Sequence, residues 1–458
     1  MAIPGKKVAV LGLDCAAPRL LFEDFREDLP TFRQLMASGS RGELESVLPP
    51  ITAPAWNCLF SGRDPGQLGC YGFRNRTDYS YRPLSIATSS AIRAPMIWDI
   101  LGEHGLESIV VGVPQTYPPK PLRGHLIAGL LTPEGSPRAT SPASLWQEIR
   151  QVAPDYRFDV SDFRHRAPDA LIREVYAMTE ARFKAARYLV SQKPWNLFAM
   201  VEIGLDRMQH VFWKYMDPDH PFHIPDSPYR NTIRDYYRYL DRQTGELLEH
   251  FPEETDIMVV SDHGAQAMQG GFCLNQWLLR EGYLVLHSAP PEVTTLTPEM
   301  IDWGRTRAWG TGGYYGRIFL NVEGREPHGT IPADSYETVR RSLQTKLAEV
   351  TEGADCLENQ VYTPEEIYKE TTGIPPDLLV FPQGMQWRSL GSVGYGSIFS
   401  RENDEGPDGA NHARNGVIIQ STVNPVLEET GKLSLLDVFP LLLEKFGLPA
   451  QAAGNTGA

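Results

Sequence analysis

The stretch IMVVSDHG, residues 257–264, decides how this chain is read. Four apolar residues in a row, with no polar alternation, mark a strand buried on both faces, the kind found inside a parallel sheet. A serine follows, then an aspartate and a histidine side by side. Adjacent residues on a continuing strand face opposite ways, so joint use of Asp262 and His263 requires the chain to turn there, and Gly264 supplies the freedom to do so. Two other stretches share this form. VAVLGLD (8–14) runs into Asp14, and FAMVEIGLD (198–206) runs into Asp206. In open α/β sheets, ligands bind in the crevice beyond the carboxyl ends of the strands. Three carboxylates are therefore expected to converge on one edge.

The rest of the chain alternates similar short apolar runs with longer helical patterns. Strands are expected at Val8–Leu13, Ser108–Val113, Leu197–Ile203, Ile257–Ser261, Leu378–Phe381 and Gly416–Gln420, and helices at Leu29–Met36, Leu171–Val190 and Asn231–Leu248. The fold class that follows is α/β, a three-layer sandwich with a mainly parallel central sheet, helices on both faces and an inserted cap subdomain. The catalytic core is expected to be discontinuous, 1–287 and 377–450, with the cap at 288–376 and a flexible tail at 451–458. The proline-rich stretch Pro114–Arg166 reads as a further addition to the core.

With 458 residues, 41% hydrophobic and 22% charged, the chain has ample material for a large globular core. No apolar run approaches the roughly 18 residues a membrane span needs. The apolar run in MAIPGKKVAVLGLD is too short for a secretion signal, so a cytoplasmic location is expected. A formal net charge of -14 repels polyanions and argues against a nucleic-acid scaffold. Five cysteines without CxxC spacing argue against a disulfide framework or a thiolate zinc site.

Asp206 and His210 stand four apart in GLDRMQHVFW, so on a helix both face the same way and can share a cation. Taken alone, such a pair is most often a surface polar pair. His412, in the Gly-rich loop GPDGANHARNG, is by default a solvent-exposed histidine. Thr52, in LPPITAPAWNCLFSG (48–62), admits two readings. It is a helix start, with Pro54 in the first turn and Thr52 or a neighbour as cap. Or it is a hydroxyl held where helix amides and dipole favour negative charge, suited to a nucleophile or to facing phosphate. Taken together, Asp14, Thr52, Asp262 and His263 form an oxygen-rich set with one imidazole, and Asp206, His210 and His412 a set with two. Mixed N/O ligands of this kind suit zinc, with manganese as a competitor. Two divalent ions against three carboxylates leave a pocket that attracts a small anion even on an acidic protein.

In their order, VAVLGLD, PPITAPAW, SGRDPGQLGCYGF, VGVPQTYPP, LDRMQHVFWKY, VVSDHGAQ and NHARNGVII resemble the alkaline phosphatase superfamily. Within it they resemble the type I phosphodiesterase/nucleotide pyrophosphatase branch and its phosphohydrolase or phosphomutase group. The resemblance covers nearly the whole chain. It implies that Asp206, His210 and His412 hold one divalent metal and Asp14, Asp262 and His263 the other, with Thr52 as ligand and nucleophile. The implied activity is a two-metal phosphoesterase acting on a small anionic phosphodiester or nucleotide-like substrate through a phosphothreonine. The pattern departs in two places. Leu68 stands where the family often has histidine, and Phe73 where an asparagine would hold a phosphoryl oxygen, leaving Arg74 and Asn75 just beyond as candidate substrate contacts. Two alternatives stay open, a phosphomutase or phosphotransferase using the same site and a catalytically silent metal-binding interaction module. Release of free phosphate separates the first from a hydrolase, and metal bound without turnover would mark the second.

Overall fold

A computed structural model describes residue 3 and residues 5–449; the expected tail at 451–458 lies outside the described residues. Its centre is a nine-stranded sheet. In spatial order the strands are Lys432–Ser434, Ser40–Glu45, Asn415–Gln420, Asp256–Val260, Val8–Leu13, Leu197–Glu202, Ser108–Val111, Gly124–Ile127 and Thr140–Ser141. Val8–Leu13 lies in the middle, buried along its whole length, with parallel partners on both sides. Helices cover the sheet in two groups. Pro30–Ser38, Pro168–Gln192, Gly204–Met216 and Thr232–Leu248 pack together in one, and Thr52–Ser61, Ile97–Glu103 and Val438–Lys445 in the other.

Register explains why the chemistry gathers at one edge. Leu13 pairs with Glu202 and Gly12 with Val260, so the three parallel strands end level with one another. Asp14 follows the first strand directly, Asp262 lies two residues past the third, and Asp206 lies in the first turn of the helix after the second. Asn415–Gln420 runs antiparallel beside Asp256–Val260, so its starting end lies at the same edge, and His412 just ahead of it arrives there too.

Leu378–Pro382, expected in the central sheet, instead belongs to a second, five-stranded sheet with Ala308–Thr311, Gly316–Leu320, Asp355–Tyr362 and Glu349–Glu352. An apolar run shows that a strand is buried but not which sheet buries it. Pro114–Arg166, read as an addition, supplies two short strands that extend the central sheet, Gly124–Ile127 and Thr140–Ser141. The second sheet and the helix Tyr336–Ala348 build an apolar core of their own, which reaches from Phe272 to Phe399, beyond 288–376 on both sides. A small aromatic cluster with Ile51, Tyr71, Tyr315, Tyr368 and Phe381 ties this unit to the loop that carries Thr52. Among the described residues no helix is long and apolar enough to cross a membrane.

Candidate metal centre

Thr52 is the first residue of the helix Thr52–Ser61, behind Ile51, and no side chain caps that helix. The threonine hydroxyl is therefore free of the capping role. It donates towards Asp14 Oδ1 at 3.3 Å and lies 3.4 Å from His263 Nε2. One turn further on, the fully buried Trp56 points its indole N–H at Asp14 Oδ2, 2.7 Å away. Gly12 makes that approach possible, because a Cβ there would lie 2.5 Å from the Trp56 ring. Thus the glycine of VAVLGLD lets an indole cross the strand and orient the aspartate two residues on.

The turn at Asp262 and His263 is present, but Gly264 serves it differently from the expectation. Its backbone is not left-handed; a Cβ at this position would meet the Asn415 carbonyl oxygen at 2.2 Å. Close approach, not rotation, demands glycine here. The left-handed residue is Cys15 (φ 69°), whose N–H reaches Asp262 Oδ1 at 3.3 Å. Gly264–Ala267 then pairs with Ala410–Ala413, which stacks the His263 and His412 rings with centroids 3.8 Å apart. On the other side, Glu202 Oε1 accepts the Gly204 N–H at 2.8 Å and Oε2 pairs with the buried Arg182 at 2.9 Å, fixing the start of the helix that presents Asp206 and His210.

All seven expected ligands are buried, and the six carboxylates and imidazoles form two groups, Asp206–His210–His412 and Asp14–Asp262–His263, each with ligand atoms mutually within 4.8 Å. The hydrogen bonds set the tautomers. His210 Nδ1 lies 3.0 Å from the Ala410 carbonyl, His412 Nδ1 2.8 Å from that of Pro50 and His263 Nδ1 3.2 Å from that of Gly264. A carbonyl cannot donate, so in each ring Nδ1 carries a proton, which leaves Nε2 as the atom turned inward to the site. The Nε2 atoms of His210 and His412 face each other at 3.3 Å. His263 Nε2 stands 3.1 Å from Asp262 Oδ2 and His210 Nε2 3.2 Å from Asp206 Oδ1, and among the described residues neither buried oxygen has a donor other than these imidazoles and His412. Once deprotonated, these groups set acceptor against acceptor, an arrangement that divalent cations satisfy and protein dipoles do not. The residues present therefore fit two divalent ions.

Charge perturbation follows the same geometry. Burial, then the nearby Asp206 charge, pushes Asp14 up to about 8 against the opposing Trp56 hydrogen bond. Burial and Asp14 push Asp262 well above the carboxylate range. Burial would also raise Asp206, but His210 and Arg207 outweigh it and hold that carboxyl well below its usual value. Burial would lower His210; the Asp408 and Asp206 carboxylates instead drive it up to about 10. Burial pulls both His263 and His412 down.

Several further residues surround the site. Asp408 Oδ1 accepts from His210 Nδ1 at 2.8 Å, while Oδ2 accepts from Arg164 at 2.7 Å and Arg388 at 3.2 Å. Tyr314 stacks on His412 with centroids 3.9 Å apart. Arg207 ties Asp206 to Asp159. Cys15 Sγ also lies near His263 and His412, but burial pushes the thiol well up and it donates to the Gly264 carbonyl. Of the two candidate substrate contacts, Arg74 lines a cavity of about 110 Å³ together with Ile51 and Tyr314. Asn75 does not line it. Its amide closes a local loop, accepting from the Tyr71 N–H at 2.8 Å and donating to the Gly72 carbonyl at 3.1 Å.

The model of the type I phosphodiesterase/nucleotide pyrophosphatase family matches residues 8–410. No curated protein matches the chain. Among solved structures, human ectonucleotide pyrophosphatase/phosphodiesterase 5 aligns over 97% of this chain and 95% of its own, with 15% identity and a TM-score of 0.56. Its murine counterpart, an inactive threonine-to-alanine variant in complex with AMP, aligns over 97% and 96%, with 15% identity and a TM-score of 0.54. Phosphonoacetate hydrolase from Sinorhizobium meliloti 1021, in complex with phosphonoacetate, aligns over 98% and 96%, with 16% identity and a TM-score of 0.59. At these identities the structural likenesses speak for the fold alone.

Proposed function

The chain belongs to the type I phosphodiesterase/nucleotide pyrophosphatase family, and from that premise we propose that it hydrolyses a small phosphodiester or nucleotide-like phosphoester through Thr52. The family makes it a metal-dependent phosphoryl hydrolase. The observation that carries the finer reading is the inward set of buried ligand atoms on His210, His412, His263, Asp206 and Asp262, with the Thr52 hydroxyl at its rim. Asp206, His210 and His412 would hold one divalent ion, and Asp14, Asp262 and His263 the other, with zinc the metal best matched to the donors. Bound there, the ions would lower the pKa of the threonine hydroxyl and neutralise charge on the phosphoryl oxygens.

The chain's own groups supply positioning. Thr52 Oγ1 bonds to phosphorus as the bond from phosphorus to the leaving oxygen breaks, giving a phosphothreonine and a free alcohol once the leaving oxygen takes a proton. Water then attacks that phosphorus, the bond to Thr52 breaks, and the hydroxyl is restored. Trp56 keeps Asp14 turned to the site, Asp408 keeps His210 turned to it, and the Pro50 carbonyl holds His412 against the loop that bears the nucleophile. The helix that starts at Thr52 would face the reacting phosphate with its amide end, where negative charge is favoured. A threonine-to-alanine change is also what distinguishes the inactive murine relative.

The test pairs elemental analysis of purified protein with turnover of matched phosphomonoester and phosphodiester chromogens. Two equivalents of a divalent metal and faster diester turnover are expected, with Thr52→Ala losing at least about a thousandfold, in the range seen when a covalent nucleophile is removed. Undiminished turnover in Thr52→Ala rejects the threonine as nucleophile.

A further inference from the structure

The cavity beside the metal centre carries a charge that hydrolysis of a simple ester does not use. Three arginines line it, Arg74, Arg317 and Arg388, against a single carboxylate, Glu405. Glu405 pairs with Arg388, which also meets Asp408 at 3.2 Å and lies over the Tyr314 ring, 4.8 Å from its centroid. Arg388 is therefore neutralised and fixed. Arg74 and Arg317 are not: among the described residues neither has a carboxylate within ion-pair distance. The Arg317 guanidinium donates from Nη1 to the Arg74 carbonyl oxygen at 2.5 Å, while its Nε is buried and without an acceptor. Burial pulls the Arg317 pKa down and Arg74 adds to it, outweighing Tyr315 and Glu405, which act the other way. Arg317 as a whole is half-buried, but its guanidinium has a buried Nε without an acceptor and no ion-pair partner, so an anion arriving with a ligand would complete it.

Position gives this pair a role. Tyr314 forms a wall of the cavity on one side and stacks on His412 on the other, and Ile51 on the cavity wall precedes Thr52 in the chain. The cavity thus adjoins Thr52 and the metal-ligand cluster on a protein whose formal net charge is -14. We infer that Arg74 and Arg317 receive a second anionic group of the substrate, a carboxylate or a further phosphate on the ester arm next to the scissile phosphorus. The inference rests on the phosphoesterase reading for the place of the scissile group. It narrows the substrate class to phosphoesters with two separate anionic centres.

The test uses p-nitrophenyl phosphodiesters whose second arm is ethyl, 2-carboxyethyl or 2-phosphoethyl, with the metal-loaded protein. One of the charged arms should exceed the ethyl arm in kcat/KM by about 10- to 100-fold, the range for a charge-assisted hydrogen bond. Which arm it is identifies the anion. Arg317→Gln should bring that ratio close to one, Arg317→Lys should keep part of it, and Arg74→Gln, at an exposed position, gives the same reading if the Arg317 variant does not fold. A ratio near one in the native protein, or a ratio that both Gln variants leave in place, overturns the inference. Calorimetric binding of the same three esters to Thr52→Ala separates the two proposals. Preference for a charged arm without turnover of any ester in the native protein upholds the anion site and rejects the hydrolase. Turnover without preference does the reverse.

Discussion

Replacing Asp408 with asparagine should weaken one metal site and spare the other. Asp408 is buried; Oδ1 takes the His210 Nδ1 proton at 2.8 Å, and Oδ2 takes Arg164 and Arg388. Asparagine keeps the shape but has only one acceptor oxygen, so it satisfies either the imidazole or the guanidinium groups, never both. Loss of such an outer partner of a ligating histidine costs about 10- to 100-fold in metal affinity, or about 1.4–2.7 kcal/mol. A second effect opposes this. Asp408 is also what drives His210 up to about 10 and makes the metal compete with a proton. The loss still wins, since the same carboxylate attracts a divalent ion about twice as strongly as a proton at equal distance. The assay is a competitive titration with a chelating indicator, fitted to two sites, with circular dichroism to show that the fold is intact. Affinity should fall about 10- to 100-fold at the site of Asp206, His210 and His412, and by less than about threefold at the other. Equal loss at both sites, or none at either, refutes the assignment of His210 to one ion and of Asp408 to its orientation.

Further outcomes follow from the same geometry. Trp56→Phe removes the 2.7 Å hydrogen bond to Asp14 and should produce the mirror image of Asp408→Asn, with the site of Asp14, Asp262 and His263 weakened by about 1.5–3 kcal/mol in the same titration. Without metal, Asp14 holds its proton below about 8 and His210 below about 10, so metal uptake at neutral pH must displace protons. Affinity should rise with pH by about tenfold per unit for each proton displaced, and calorimetry in buffers of different ionisation enthalpy should show proton release. Gly264→Ala pushes a methyl against the Asn415 carbonyl 2.2 Å away; thermal unfolding should report a loss of about 1–3 kcal/mol, with metal affinity at His263 reduced as its turn is displaced.

The edge of the sheet was legible because three apolar runs lead into an aspartate or an aspartate-bearing turn, a local signal that needs no knowledge of distant contacts. The i,i+4 spacing of Asp206 and His210 was legible for the same reason. His412 was visible as a residue but not as a buried one. Its burial depends on the ladder between Gly264–Ala267 and Ala410–Ala413, a pairing of segments almost 150 positions apart. Asp408 gave no signal: in GPDGANH it reads as one more turn aspartate, and only the folded loop brings it to His210. The unpaired state of Arg317 was equally hidden, since nothing in a sequence marks which of 43 basic residues lacks a partner. Leu378–Pro382 was found as a strand and assigned to the wrong sheet, because burial on both faces has the same signature in either core. The strands at Gly124–Ile127 and Thr140–Ser141 are four and two residues long, too short for periodicity to register among so many prolines.

Crystals of the metal-replete protein, measured above and below the absorption edge of the bound metal, test the central claim. Two anomalous peaks should appear, one surrounded by Asp206, His210 and His412, the other by Asp14, Asp262 and His263 with the Thr52 oxygen beside it. A single peak, or two that leave Thr52 out of reach of either ion, would contradict it.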